Sequence, residues 1–282
     1  MNKTINEIAT LLDLGKVTSS ELVDAAMKEI ENDKGQGRTA FIKSYPAQAK
    51  IQAIAIDKLR AAGVVLSPIA GVPISIKDLF DVAGEVTTAG SQVRKMCAPA
   101  IQDADVVKQL RSAGAIVVGR TNMTEFAFSG LGLNPHYGTP LNPWDRETSR
   151  IPGGSSSGAA ISVSDNMAVA GIGTDTGGSV RIPSALCGLT GFKPTAARVS
   201  MLGAFPLSTT LDSIGPLARS VECCAILDQI MRGESVGLLR DRPLETLTLA
   251  VPQTIVFEDI EEKVANDFNR ALVKISKLGA KI

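Results

Sequence analysis

The chain has 282 residues, 44% hydrophobic and 21% charged, enough for one large domain with a buried core. Lys plus Arg and Asp plus Glu balance at 29 each. No run of like charge and no aromatic–basic interleaving occurs, which excludes a basic nucleic-acid surface. A single histidine and four cysteines without a C-x-x-C pair argue against a metal cluster; Cys97, Cys187, Cys223 and Cys224 read as reduced, mostly buried thiols.

The first residues are amphipathic at helical spacing and interrupted by Asn6, Glu7 and Asp13, so they do not form a signal peptide. No apolar run is long enough to span a bilayer, and a soluble, cytoplasmic protein without a membrane partner is expected. Thr4 with Glu7, and Thr18 with Glu21, have capping-box spacing; each precedes an apolar stripe, the first being Ile5, Ile8, Leu11 and Leu12. A third helix over "AQAKIQAIAIDKLRAAG" stops on Gly63, making residues 1–65 a helical region. "GVPISIKD" predicts a short strand, with Pro73 confined to its start or to an edge and Lys77 at its end. In "DADVVKQLRSAGAIVVGRTNMTEFAF" a helix stops near Gly114, "AIVVG" is a buried strand, and Thr121 is placed to cap a further helix. Residues 129–158 read as a loop whose length suggests function. "AAISVSDN" continues as a short helix, and "MAVAGIGTD" is a buried strand entering a second glycine-rich loop. Alternating helices and short apolar strands predict an α/β fold. At the end, "ANDFNRALVKISKLGAKI" reads as helix, glycine stop and strand start, so the chain is expected to be truncated relative to a complete fold.

The two glycine-rich loops do not fit phosphate-binding patterns. "PGGSSSG" lacks the Lys-Ser or Lys-Thr ending of a P-loop, and "GIGTDT" has Thr176 where the dinucleotide fingerprint needs glycine. Ser179 would serve as a nucleophile only with a base to take its proton. His136 lies in the turn-rich "NPHYG", where a surface or hydrogen-bonding role is favoured over a catalytic one. No G-x-S-x-G elbow surrounds Ser179, because Arg181 stands two residues after it. The remaining base is Lys77, since burial lowers a lysine's pKa until the neutral amine can accept a proton. Taken alone, "VPISIKD" reads better as a strand ending in a solvated lysine.

Three motifs taken in order reverse that preference. "GVPISIKD", "PGGSSSGAA" and "GTDTGGSVRIPSALCGLTGFKPT", supported by "TNMTEFA" and "NPWD", resemble the amidase signature family over nearly the whole chain. Ser155 precedes Ser179 by 24 residues, the spacing of that family. The resemblance implies a single domain over 1–282 with the amidase signature fold: a central, mostly parallel or mixed sheet flanked by helices, its C-terminal part missing. It further implies a Ser-cisSer-Lys triad, with Ser179 as nucleophile, Ser155 as the bridging serine after a cis bond to Gly154, and Lys77 as general base. The backbone amides of Thr176, Gly177, Gly178 and Ser179 would form the oxyanion hole. Asp175 would orient the loop, although an Asx turn explains it equally, and Arg181 reads as structural rather than substrate-binding. "SSSG" replaces the family's "SGG" at Ser156 and Ser157, which puts local loop geometry in question, and Cys187 is expected to be a core thiol.

The implied activity is hydrolysis of a small carboxamide through an acyl-enzyme, with no cofactor, no metal and no direct nucleic-acid contact. Two alternatives stand beside it. One is the glutaminase component of a tRNA-dependent amidotransferase, working with partner subunits; the other is a truncated relative with weak or no activity. "GTDTGGSVRIP" departs from the Ser-Asp and Gln-Pro of the glutaminase loop, which favours a free amidase. A homodimer is compatible with the family, and the choice of amide is not legible.

Overall fold

The computed structural model describes residues 2–64, 66–237, 242–254 and 256–282. The chain divides into two compact units, Met1–Gly237 and Leu238–Ile282.

The first unit opens with two capped helices, α1 (Ile5–Asp13) and α2 (Ser19–Ile30). At both N-termini the threonine hydroxyl accepts from the N3 amide while the N3 glutamate accepts from the cap amide, so the predicted capping boxes form at Thr4–Glu7 and Thr18–Glu21. A short turn, α3 (Gly37–Ala40), leads into strand β1 (Phe41–Ser44). Helix α4 (Pro46–Ala61) follows and ends before Gly63, whose φ of 77° is the left-handed stop read from the sequence.

Strand β2 (Pro73–Lys77) begins on its proline, which therefore removes no hydrogen bond from the strand interior. Helix α5 (Asp105–Ser112) and strand β3 (Ile116–Thr121) complete the next unit. Here the structure corrects the expectation that Thr121 caps a helix. Thr121 is the last residue of β3, and its hydroxyl donates to Ile76 O at 3.3 Å. Only a 3-10 turn over Glu125–Ala127 follows, because Phe126 and Ala127 adopt left-handed φ values of 53° and 60° that an α-helix cannot contain. Helix α6 (Ser157–Ser164), strand β4 (Ala170–Asp175), helix α7 (Arg181–Leu186) and strand β5 (Thr190–Gly191) come next. Strand β6 (Ser213–Ala218) and helix α8 (Val221–Met231) end the unit.

The six strands form one mixed sheet in the order β1-β3-β2-β4-β6-β5. The central pairs β3/β2 and β2/β4 are parallel, and the outer pairs are antiparallel. Strands β2, β3, β4 and β6 are buried along their whole length, as a sheet covered on both faces requires. One core contains Ile5, Ile8 and Leu12 of α1, Val106, Val107 and Leu110 of α5, and the α8 residues Ile226, Leu227 and Ile230; they pack on Ile74, Ile76, Val117 and Ile172. A second core contains Val23, Ala26 and Met27 of α2, Ala49 and Ala53 of α4, and Ala159 to Ile161 of α6, packed on Ile116, Val118 and Leu217. Successive residues of β3 alternate between the two cores, the period of two of a strand. Each buried branched side chain contributes roughly 1.5–3 kcal/mol.

Close approach of α6 to β4 depends on small residues. A Cβ on Gly173 would lie 2.5 Å from Ser156 Oγ, and one on Gly171 would lie 3.0 Å from Ala159 O. Both loops of interest are therefore held at one end of the sheet, Ser155 just before α6 and Ser179 just after β4.

In the second unit, helix α9 (Glu262–Lys277) ends before Gly279, and Lys281 bridges Thr248 in parallel. The predicted helix and glycine stop are thus present, with the helix starting three residues earlier than "ANDF". Among the described residues no helix is long and apolar enough to cross a membrane.

Candidate active site

Lys77 closes a strand of which every residue is buried, and its own side chain is 0% exposed. No carboxylate among the described residues hydrogen-bonds it. Its Nζ donates to Ser155 Oγ at 2.7 Å and to Thr174 Oγ1 at 3.0 Å. Burial pushes the amine down to about 7, against the pull of the Asp175 and Asp212 carboxylates, which favour the cation. The solvated strand-end lysine suggested by the isolated segment is not what the fold contains.

Ser155 is fully buried and follows a cis peptide bond from Gly154. The segment around it is pinned by its neighbours: Gly154 N donates to Gly130 O at 2.7 Å, and Thr124 N donates to Ser155 O at 3.1 Å. Glycine is required at 154, because a Cβ there would lie 2.5 Å from Gly132 N. Ser156 N donates to Ser179 O at 3.2 Å, joining the two glycine-rich loops directly. "SSSG" therefore does not open the loop: Ser156 and Ser157 are both buried, and Ser156 Oγ donates to Thr174 O at 3.4 Å.

The Ser179 loop is built around the Asp175 carboxylate. Oδ1 accepts from Gly178 N at 2.8 Å and from Arg181 Nη2 at 2.9 Å. Oδ2 accepts from Val180 N at 3.1 Å, Arg181 N at 3.2 Å and Arg181 Nε at 3.0 Å. Burial favours the neutral acid, but the bonds from Arg181 and the Val180 and Arg181 amides outweigh it and hold Asp175 below the usual carboxylate range. Asp175 is thus more than an Asx turn, and Arg181 is its structural partner.

One predicted group is corrected by this arrangement. The Gly178 amide, expected to face an oxyanion, donates to Asp175 instead. The amides of Thr176, Gly177 and Ser179 donate to no acceptor among the described residues. Gly178 has a φ of 129°, a conformation natural to glycine, and a Cβ there would lie 2.6 Å from Ile182 Cδ1. Ser179 is 7% exposed, and its hydroxyl has no hydrogen-bond partner among the described residues, Ser155 included.

The family profile described as Amidase matches residues 21–282. The chain belongs to the amidase signature family. It is 38% identical to a glutamyl-tRNA(Gln) amidotransferase subunit of Thioalkalivibrio sulfidiphilus, over 99% of this chain and 60% of that one. A crystal structure of an amidase superposes with a TM-score of 0.87 at 36% identity, over 99% of this chain and 62% of its own. The peptide amidase of Stenotrophomonas maltophilia superposes at 0.84 and 29% identity, over 99% and 61%. The chain spans about 60% of the length of the curated relatives it matches.

Two residues beside these loops were not singled out from the sequence. Thr174 is the second acceptor for Lys77. Asp212, just before β6, accepts from the Thr176 hydroxyl and from the amides of Leu207 and Ser208 at 2.9 and 3.0 Å, tying the Thr176 side of the loop to the sheet. Neither carries a local pattern: the β2–β4 pairing sets Thr174 beside Lys77, and the β4–β6 pairing, in which Asp175 faces Ser213, brings Asp212 beside Thr176. His136 hydrogen-bonds Glu125 at 3.0 Å and is not among the partners of these loops. Cys187 is buried and burial pushes its thiol up to about 12, which suits a core residue. No group of three His, Cys, Asp or Glu side chains among the described residues is arranged to hold a metal ion.

Proposed function

We propose that the chain carries an amide-hydrolysing centre in which Ser179 is the nucleophile, Ser155 the proton relay and Lys77 the general base. The observation that supports it most directly is the 2.7 Å contact between Lys77 Nζ and Ser155 Oγ in a buried site where, among the described residues, no carboxylate hydrogen-bonds the lysine. With its pKa near 7, a large fraction of Lys77 is the neutral amine at physiological pH, and its lone pair accepts the Ser155 proton over that same contact. Ser155 in turn takes the proton of Ser179 as Ser179 Oγ bonds to the amide carbon. The negative charge that grows on the carbonyl oxygen is met by the amides of Thr176, Gly177 and Ser179, the three left free when Asp175 occupies Gly178. Collapse of the adduct breaks the C–N bond, and the proton returns through Ser155 to the departing amine. Water, deprotonated by the same relay, then cleaves the Ser179 ester and releases the acid.

The substrate class is a small carboxamide. A second reading is favoured by relatives named as amidotransferase subunits: release of ammonia from glutamine for a partner protein. Ammonia release from a panel of amides, including glutamine, asparagine and indoleacetamide, tests both. Turnover by the protein alone that disappears in Ser179→Ala supports the amidase. Turnover of glutamine only when a partner protein is added supports the glutaminase. Equal turnover in wild type and Ser179→Ala would overturn the nucleophile.

A further inference from the structure

A cavity of about 410 Å³ lies beside β1 and the ends of β2 and β3, lined among others by Lys43, Asp78, Glu85, Lys95, Arg120 and Tyr137. It shares no lining residue with Lys77, Ser155 or the loop from Asp175 to Arg181. Its size suits a small ligand. Its chemistry is set by Arg120, which is only 2% exposed.

The carboxylate oxygens that line this cavity are already supplied with donors. Asp78 Oδ1 accepts from Arg120 Nε at 2.7 Å; Oδ2 accepts from Gly90 N at 3.0 Å and from the Thr88 hydroxyl. Glu85 Oε1 accepts from Lys43 Nζ and Oε2 from the Tyr45 hydroxyl, both at 2.7 Å. The donors are not all used. Arg120 Nη1 is buried without a hydrogen-bond partner among the described residues, and Glu85 Oε2 at 3.9 Å is out of its hydrogen-bonding reach. The Tyr137 hydroxyl is also buried without a hydrogen bond of good geometry among the described residues. Lys95 Nζ sits 5.4 Å from the centroid of the Tyr137 ring and forms no ion pair among the described residues. The lining holds the cations Lys43, Lys95 and Arg120 against the anions Asp78 and Glu85. The occupant that completes this set brings hydrogen-bond acceptors and one negative charge; a metal cation would add to the excess positive charge.

We propose that the cavity binds a small carboxylate, held by Arg120 Nη1 and the Tyr137 hydroxyl, with Lys95 as a third donor at the rim. The guanidinium is pre-oriented by its two bonds to Asp78, through Nε and through Nη2 to the Asp78 carbonyl at 3.3 Å, so little side-chain freedom is lost on binding.

The test is calorimetric titration of the full chain with sodium acetate, at ionic strength held constant with sodium chloride. Saturable binding is expected, weakened about 3–10-fold by Tyr137→Phe and by a similar factor by Lys95→Gln. Both substitutions spare the Asp78–Arg120 pair, and unchanged circular dichroism and melting show that each variant is folded. Absence of saturable acetate binding to the wild type, unchanged affinity in both variants, or tighter binding of inorganic phosphate than of acetate would each overturn the proposal.

Discussion

Lys77 ends β2, and Arg120 is the penultimate residue of the adjacent parallel strand β3, one residue apart in register; both side chains are almost wholly buried. Their protonation differs because their partners differ. Lys77 meets two hydroxyls, with the nearest carboxylates acting only at a distance, and burial pulls its pKa down to about 7. Arg120 is bound directly by Asp78; burial opposes its charge, but the Asp78 carboxylate outweighs it and raises the pKa above the ordinary value. Equal burial thus goes with a lowered pKa on one strand and a raised one on the next. The partners decide which: the hydroxyls of Ser155 and Thr174 for Lys77, the Asp78 carboxylate for Arg120.

The largest effect is expected from forcing the first site to behave as the second. Lys77→Arg places a charge that is never released among hydroxyls, and Lys77→Met removes the base. Either is expected to lower kcat/KM for a carboxamide substrate by about 10³–10⁴-fold, measured as ammonia release. Arg120→Met makes the converse change, leaving Asp78 buried without its cation. It is expected to cost about 3–5 kcal/mol in urea unfolding, and Asp78→Asn in the same chain to recover part of that loss. Asp175→Asn weakens the hub of the Ser179 loop. A loss of about 2 kcal/mol is expected, with slower acylation of Ser179, read by thermal melting and active-site labelling.

The most gradual effect, spread over several pH units, sharpens the comparison through pH. The folded-state value of Lys77, about 7, lies below the ordinary lysine value of 10.5, so between these the unfolded chain binds more protons. Stability is therefore expected to rise as pH rises from about 7 towards 10.5, by at most about 1.4 kcal/mol per pH unit, and Lys77→Met to flatten that rise. Arg120 stays charged throughout and contributes no slope.

Much of this was legible because the signals are local. Capping boxes at Thr4 and Thr18, the stop at Gly63 and the strand opened by Pro73 depend on a few neighbouring residues, and each forms as read. The order of the three motifs identified the family for the same reason. What failed or was absent depends on contacts distant in sequence. Thr121 has the composition of a cap but is drawn into β3 by pairing with Lys77. Strand β6 contains Gly215 and Pro216, which disguise it; Pro216 is tolerated because β5 pairs only with Leu217 and Ala218. The role of Thr174 exists only once β2 and β4 lie side by side, and that of Asp212 only once β4 and β6 do. The Gly178 amide is taken by the Asp175 carboxylate, a contact that the linear pattern of the loop does not show.

The central claim is that a neutral Lys77 activates Ser179 through Ser155. Its most direct test is the rate of fluorophosphonate labelling across pH, with the modified peptide identified by mass spectrometry. The expected result is a single adduct on Ser179 whose rate rises about tenfold per pH unit below 7 and levels off above it, with labelling almost lost in Lys77→Met. An adduct on another residue, a rate independent of pH, or wild-type labelling of Lys77→Met would contradict it.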